Sequence, residues 1–260
     1  MKIQELLDYL EARVPLRQQE DFDNSGVQCG DTSLELSGVL IAIDITEAVI
    51  DEAIEKGCNL IVAHHPALFR ATKTITPSYY IHRCVMKAIK YDIVLYAAHT
   101  SLDNDDDGVN VYWARQMGLS DIEILEPHPD NPLVGGGVIG NLPQPVTITE
   151  LLALMKRFQP ITHVTHSKVL REKVQRIAYC GGSGNFMLRR AAQSGADIFI
   201  TGEAKYNDFY DAQELVTLMT IGHFESELLT KEILMDIMSE KRGNFAVYNA
   251  ATCVNPVHYI

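Results

Sequence analysis

Three short segments set imidazoles and carboxylates at spacings that suit metal chemistry. NLIVAHH carries His64 and His65, YAAHTSLD carries His99 with Asp103 four residues on, and IGHFESE carries His223 with Glu227 four residues on. Neutral imidazole and ionised carboxylate are the donors that zinc, manganese, iron and nickel take from a protein. Each segment opens on an apolar run suited to a buried strand, and binding groups in an open α/β sheet gather outside the carboxyl ends of the strands. Neighbouring side chains on an extended backbone point to opposite faces, so His64 and His65 are expected to serve two ions rather than one. Glu227, with two oxygens, has the means to bridge both. Taken singly, each residue has an ordinary structural use, as a hydrogen-bonded strand end or an acid at a helix start. Three strand ends in repeated order favour a two-metal centre. His82, His128, His163, His166 and His258 have no such setting and are read as surface or satisfied histidines.

The elements behind these segments are written twice. AIEKGCNLIVAHH, from Ala53, is echoed by AAQSGADIFITGE, from Ala191, in helix tail, glycine stop and apolar strand. Upstream of each copy stands another apolar strand and helix, VLIAIDITEAVIDEAIEKG and RIAYCGGSGNFMLRRAAQSG; downstream stands a third strand ending in His. Near-continuous apolar strands alternating with helices predict an α/β fold with mainly parallel sheets covered on both faces. The expectation is two similar α/β lobes related by internal duplication, with the metal site between them. The Pro- and Gly-rich stretch from Glu126 to Pro145 marks the handover, giving lobes of 1–125 and 126–260, with room for the C-terminal strand to return to the first.

Composition narrows the function classes. The net charge of −12 disfavours a nucleic-acid binder, which needs clustered Lys and Arg to neutralise phosphates. No apolar run approaches the roughly 18 residues of a membrane-spanning helix. Near the start, Ile3, Leu6, Leu7, Leu10 and Val14 recur at helical spacing among acidic residues, which predicts a core-facing helix and not a signal peptide. The five cysteines are scattered with no CxxC pair, as expected of reduced thiols in a cytoplasmic protein.

Three loops complete the inventory. In DNDDDGVN only Asp103 is taken as a ligand, while Asp105 to Asp107 are expected to be solvated helix-start acids. CGGSG, Cys180 to Gly184, lies between strand and helix where backbone N–H groups can hold a phosphate, but a tight turn is the preferred reading. DNSGVQCG, Asp23 to Gly30, is a polar loop from which Asp23 or Asn24 could reach a site.

The motifs HHP at His64 to Pro66, HTSLD at His99 to Asp103 and GHFESE at Gly222 to Glu227, together with DNSGVQCG, TGEAKYND and the closing NP at Asn255 and Pro256, make the chain similar to the Nif-three-like dinuclear metal centre proteins, also called GTP cyclohydrolase 1 type 2 homologues. The similarity runs along nearly the whole chain. It implies a Nif-three-like fold and two divalent ions per chain held by His64, His65, Asp103, His223 and Glu227. His99 would stand beside the ions or serve as an acid/base, and six chains would form a ring with the sites facing inward. The resemblance is to the short form, without the domain that longer relatives insert between the halves. Many relatives carry His where this chain has Asn207, which can hydrogen-bond but not titrate. The activity implied is metal-dependent hydrolysis of a nucleotide or related small molecule; the alternative is a non-catalytic metalloprotein ring for regulation, partner binding or metal handling.

Overall fold

The computed structural model describes residues 1–241 and 243–259, which divide into two compact units. The first unit comprises Met1–Leu102 and Thr230–Pro256; the second comprises Asp103–Leu229 and the closing residues from Val257.

The first unit opens with helix α1 (Ile3–Arg13), which buries Ile3, Leu6, Leu7 and Leu10, the apolar stripe that its spacing predicts. Strand β1 (Gly26–Cys29) comes next, then β2 (Gly38–Ala42), α2 (Glu47–Lys56), β3 (Leu60–Ala63), α3 (Tyr80–Lys90) and β4 (Val94–Ala97). Thr46 caps α2 by accepting from the Val49 N–H at 3.2 Å. Gly57 stops it in the left-handed region at φ 68°, and Gly195 repeats that stop at φ 78° in the second unit, as the duplicated sequence implies. Residues of β2, β3 and β4 are buried throughout, which is why their sequences carry no polar alternation.

The short helix α4 (His99–Asp103) carries the chain across the division at Leu102. The second unit continues with α5 (Val109–Gln116), β5 (Ser120–His128), β6 (Asn131–Val146), α6 (Ile148–Met155), β7 (Thr165–His166), β8 (Val174–Cys180), α7 (Leu188–Gln193), β9 (Ile198–Thr201), α8 (Tyr206–Ala212), β10 (Thr217–Thr220) and α9 (His223–Glu227). Its sheet has the order β5-β6-β8-β9-β10-β7. Within it β8, β9 and β10 run parallel, while β5, β6 and β7 attach antiparallel. Its core includes the fully buried Trp113 stacked on Tyr179, ring centroids 3.9 Å apart.

The chain then returns to the first unit as α10 (Thr230–Glu240) and β11 (Ala246–Asn249). Strand β11 adds parallel to β2, giving the sheet order β1-β4-β3-β2-β11 with β1 antiparallel at one edge. The buried carboxylate of Glu52 on α2 anchors the backbone just past β11, accepting from the N–H groups of Ala251 at 3.0 Å and Thr252 at 2.9 Å.

The fold is α/β with two sheets, and the duplicated segments occupy corresponding parallel trios, β2-β3-β4 and β8-β9-β10. The handover differs from the sequence reading. Residues 126–145 do not link lobes: they form much of the β5–β6 hairpin inside the second sheet, and the compact units divide at Leu102 instead. Pro143 and Pro145 are tolerated because the β6–β8 register breaks between Asn141 and Val146, where no ladder donor is required of them.

Candidate functional site

In the first unit, His64 and His65 directly follow β3, and His99 follows β4. The ladder extends past the strands: the His64 N–H donates to the Ala42 carbonyl (3.1 Å), that of His65 to Ile43 (2.9 Å) and that of His99 to His64 (2.9 Å). Three imidazoles therefore share one sheet end, with centroid separations of 4.9 Å for His64–His65, 5.5 Å for His64–His99 and 5.7 Å for His65–His99. The pleat argument that sends His64 and His65 apart does not operate here. Strand β3 ends at Ala63 and the backbone bends, so the two rings stay close.

Each ring is held from its far side. His65 Nδ1 donates to Asp44 Oδ1 at 2.8 Å, since a carboxylate can only accept, and this turns Nε2, on the far side of the ring, away from Asp44. His64 Nδ1 lies 3.5 Å from the Thr230 hydroxyl at the start of α10. His99 Nδ1 donates to Asp23 Oδ1 at 2.5 Å. Asp23 also accepts from the Ser25 hydroxyl (2.8 Å), the Asn24 N–H (2.6 Å), the Thr100 N–H (3.1 Å) and the Thr100 hydroxyl. Burial alone would raise the Asp23 pKa, but the hydrogen bond and charge of His99, with the Thr100 and Asn24 donors, hold it well below the usual carboxylate range. His99 itself sits at φ 29°, a strained backbone for a residue with a Cβ.

In the second unit, His223 and Glu227 lie one turn apart on α9, after β10, with His223 Nε2 3.2 Å from Glu227 Oε2 and Nδ1 3.5 Å from Glu203 Oε1. Glu227 is buried, and α9 is anchored by a polar network. Tyr179 donates to the Ser226 carbonyl (2.6 Å), the Gly182 N–H to the Ser226 hydroxyl (2.9 Å), and Gln159 to the Glu225 carbonyl (3.0 Å) while accepting from Trp113 Nε1 (2.9 Å). Asp103 ends α4, and its carbonyl accepts from Asn110 Nδ2 at 3.0 Å; Asn110 Oδ1 in turn accepts from the Gly181 N–H at 3.0 Å. Tyr179 senses both carboxylates of this unit. Its hydroxyl is pushed well above the ordinary value, first by burial and further by the charges of Glu227 and Asp103.

The CGGSG segment is the expected tight turn, with Gly182 at φ 60°, and it has a second use. A Cβ on Gly182 would run into the Glu227 carboxylate, so the turn forms a wall that only glycine permits. Sequence reasoning gave Gly182 and Asn110 no part in the site, because neither offers an imidazole or a carboxylate. Asp105 is a correction: it is buried, not solvated, and accepts from the Asp107 N–H at 3.1 Å, closing the turn after α4, whereas Asp106 and Asp107 are exposed. Asn207 is exposed on α8, and the five histidines read as surface or satisfied are exposed or half-exposed.

By chemistry, the imidazoles of His64 and His65 and the carboxylate of Glu227 are donors that could hold a metal ion. Within each unit the donors suit such an ion: in the first, imidazole nitrogens backed by hydrogen bonds, and in the second, a carboxylate beside a glycine turn that keeps side-chain bulk away. Among the described residues no helix is long and apolar enough to cross a membrane.

Comparison with known proteins agrees along the chain. The model of the Duf34/NIF3 (NGG1p interacting factor 3) family matches residues 1–256. A Clostridium perfringens protein named GTP cyclohydrolase 1 type 2 homolog is 35% identical over 228 residues, 87% of each chain. A Streptococcus pneumoniae protein of the same name is 30% identical over 268 residues, with both chains covered in full. The crystal structure of Staphylococcus aureus hypothetical protein SA1388 superposes with a TM-score of 0.90 at 32% identity, covering 100% of this chain and 99% of that one. With its two sheets, its strand-end histidines and a family match from the first residue to Pro256, the chain belongs to the Duf34/NIF3 family.

Proposed function

We propose that this is a dinuclear metal-binding protein in which His64, His65, Asp103, His223 and Glu227 hold two divalent ions, and that it hydrolyses a nucleotide or related small molecule. The observation that carries the reading is that each unit presents donors at the carboxyl ends of its strands, each set braced by hydrogen bonds or polar neighbours. The chain passes between units at Leu102–Asp103 and again at Leu229–Thr230, within a few residues of Asp103 and Glu227. The name carried by the relatives, GTP cyclohydrolase 1 type 2 homolog, supports a nucleotide as the substrate class.

When bound, two such ions supply Lewis-acid polarisation of the bond under attack and activation of a water. The residues of this chain supply the rest. His65, locked by Asp44, and His64 present neutral nitrogen donors, and Asp103 and Glu227 bring the negative charge that divalent ions require. His99, whose Nδ1 is committed to Asp23, offers Nε2 for proton transfer. A cytoplasmic hexameric ring is part of the same proposal, and light scattering from the purified protein should give six times the mass of the 29.0 kDa chain.

Elemental analysis of untagged protein tests the centre. Close to two ions per chain are expected, with Glu227→Ala losing most of them and all metal-dependent turnover. Metal content near zero after reconstitution with manganese, zinc and iron would overturn the reading; two ions without hydrolysis over a broad panel would remove the hydrolase part alone.

A further inference from the structure

The first unit carries a feature that metal binding does not use. Phe22 and Phe69 are 62% and 42% exposed, and their rings meet edge to face with centroids 6.4 Å apart at 77°. Phe69 also stands edge-on to His99, 5.7 Å away at 83°. Isolated surface phenylalanines need no explanation. These two are held in place by polar ties. Phe22 precedes Asp23, whose carboxylate binds His99 and Thr100. Phe69 comes directly after Leu68, whose N–H donates to Gln28 Oε1 at 3.0 Å and whose carbonyl accepts from Asn24 Nδ2 at 2.8 Å. Gln28 is itself buried and donates to the Asn24 carbonyl at 2.7 Å. The two loops are thus cross-tied to each other, and the first of them is tied to His99. The result fixes two large apolar rings on the surface, where water disfavours them, at the edge of the imidazole cluster.

We propose that Phe22 and Phe69 are specificity-determining residues that stack the flat aromatic ring of the substrate beside His99. A planar heterocycle has a π-face to lay against a phenyl ring, and a prefixed ring loses little entropy on binding. This rests on the reading that the site takes a nucleotide-like molecule and names which side chains select it. A sugar phosphate without a base gains nothing from the platform. Selectivity therefore comes from the ring of the ligand.

The test uses full-length, metal-loaded protein with 2-aminopurine riboside, whose fluorescence is quenched on stacking, and ribose 5-phosphate as the probe lacking a base. Phe69→Leu and Phe22→Leu should each weaken riboside binding several-fold and together by about tenfold or more, the scale of one base–aromatic stack. Ribose 5-phosphate affinity should not change, and Phe69→Trp should restore riboside binding. Riboside affinity unchanged in the double variant would overturn the proposal, as would no riboside binding to the unaltered protein or equal weakening of both probes. A double variant that keeps riboside affinity but loses the oligomer would assign the rings to a contact between copies instead. Metal content is read on the same samples, so a platform that fails while two ions remain bound leaves the metal reading standing.

Discussion

Replacing Asp23 with Asn tests how firmly the first unit holds His99. The side chain of Asp23 is wholly enclosed, with 0% exposure. One oxygen accepts from His99 Nδ1 and the Asn24 N–H, the other from the Thr100 N–H, the Thr100 hydroxyl and the Ser25 hydroxyl. An amide keeps the shape but turns one oxygen into a donor: in one orientation it faces the His99 Nδ1–H and the Asn24 N–H, and in the other the Thr100 N–H together with two hydroxyls that lose their charged acceptor, so at least two bonds to the carboxylate are lost. At about 1.5 kcal/mol for each lost bond to a charged acceptor, the low end of the usual range, the substitution costs about 3 kcal/mol. The sign with pH is set by the lowered pKa. A carboxylate depressed in the folded state contributes stability above its unfolded pKa, and that contribution is lost as pH falls through the folded value. The gap between wild type and Asp23→Asn should therefore be full at pH 7 and begin to close only below about pH 4. Urea unfolding monitored by far-ultraviolet circular dichroism, at fixed metal concentration between pH 7 and 3, measures it. A gap under about 1 kcal/mol at pH 7, or one that does not narrow on acidification, would refute the reasoning.

Two further substitutions probe the second unit. Gly182→Ala places a methyl group against the Glu227 carboxylate from a backbone at φ 60°, so metal content should fall well below wild type with a stability loss of about 1 kcal/mol or more; unaltered metal content would show that the wall yields. Thr147 closes a capping box on α6, its hydroxyl accepting from the Glu150 N–H at 3.3 Å and its own N–H donating to Glu150 Oε2 at 2.7 Å. Thr147→Ala should cost about 1 kcal/mol in thermal or urea unfolding without touching metal content.

The features legible in the sequence were local or repeated. The glycine stops at Gly57 and Gly195, the apolar face of α1 and the two parallel trios come from periodicity and capping, which act over a few residues. So do the strand-end positions of His64, His65, His99 and His223, because apolar strands announce their own ends. The rest depended on distant pairing. Asp23 and His99 are separated by 76 residues, and no pattern in DNSGVQCG says which acid meets which imidazole. The β5–β6 hairpin resembles a linker because its prolines sit at or beside register breaks that only the partner strands reveal. Asn110 and Gly182 act through a backbone carbonyl and a missing Cβ, neither of which residue type discloses.

The return of β11 to β2 sets an order on synthesis. Residues 103–229, which hold every strand of the second sheet, emerge from the ribosome without interruption and can close that sheet, whereas the first sheet waits for residues 246–249. Until then β2, apolar and buried along its whole length in the finished fold, offers an open edge with unpaired backbone groups. The nascent first unit is thus the aggregation-sensitive half. Truncation before residue 246 would damage the sheet that bears His64 and His65, though every candidate ligand would already be present in the chain.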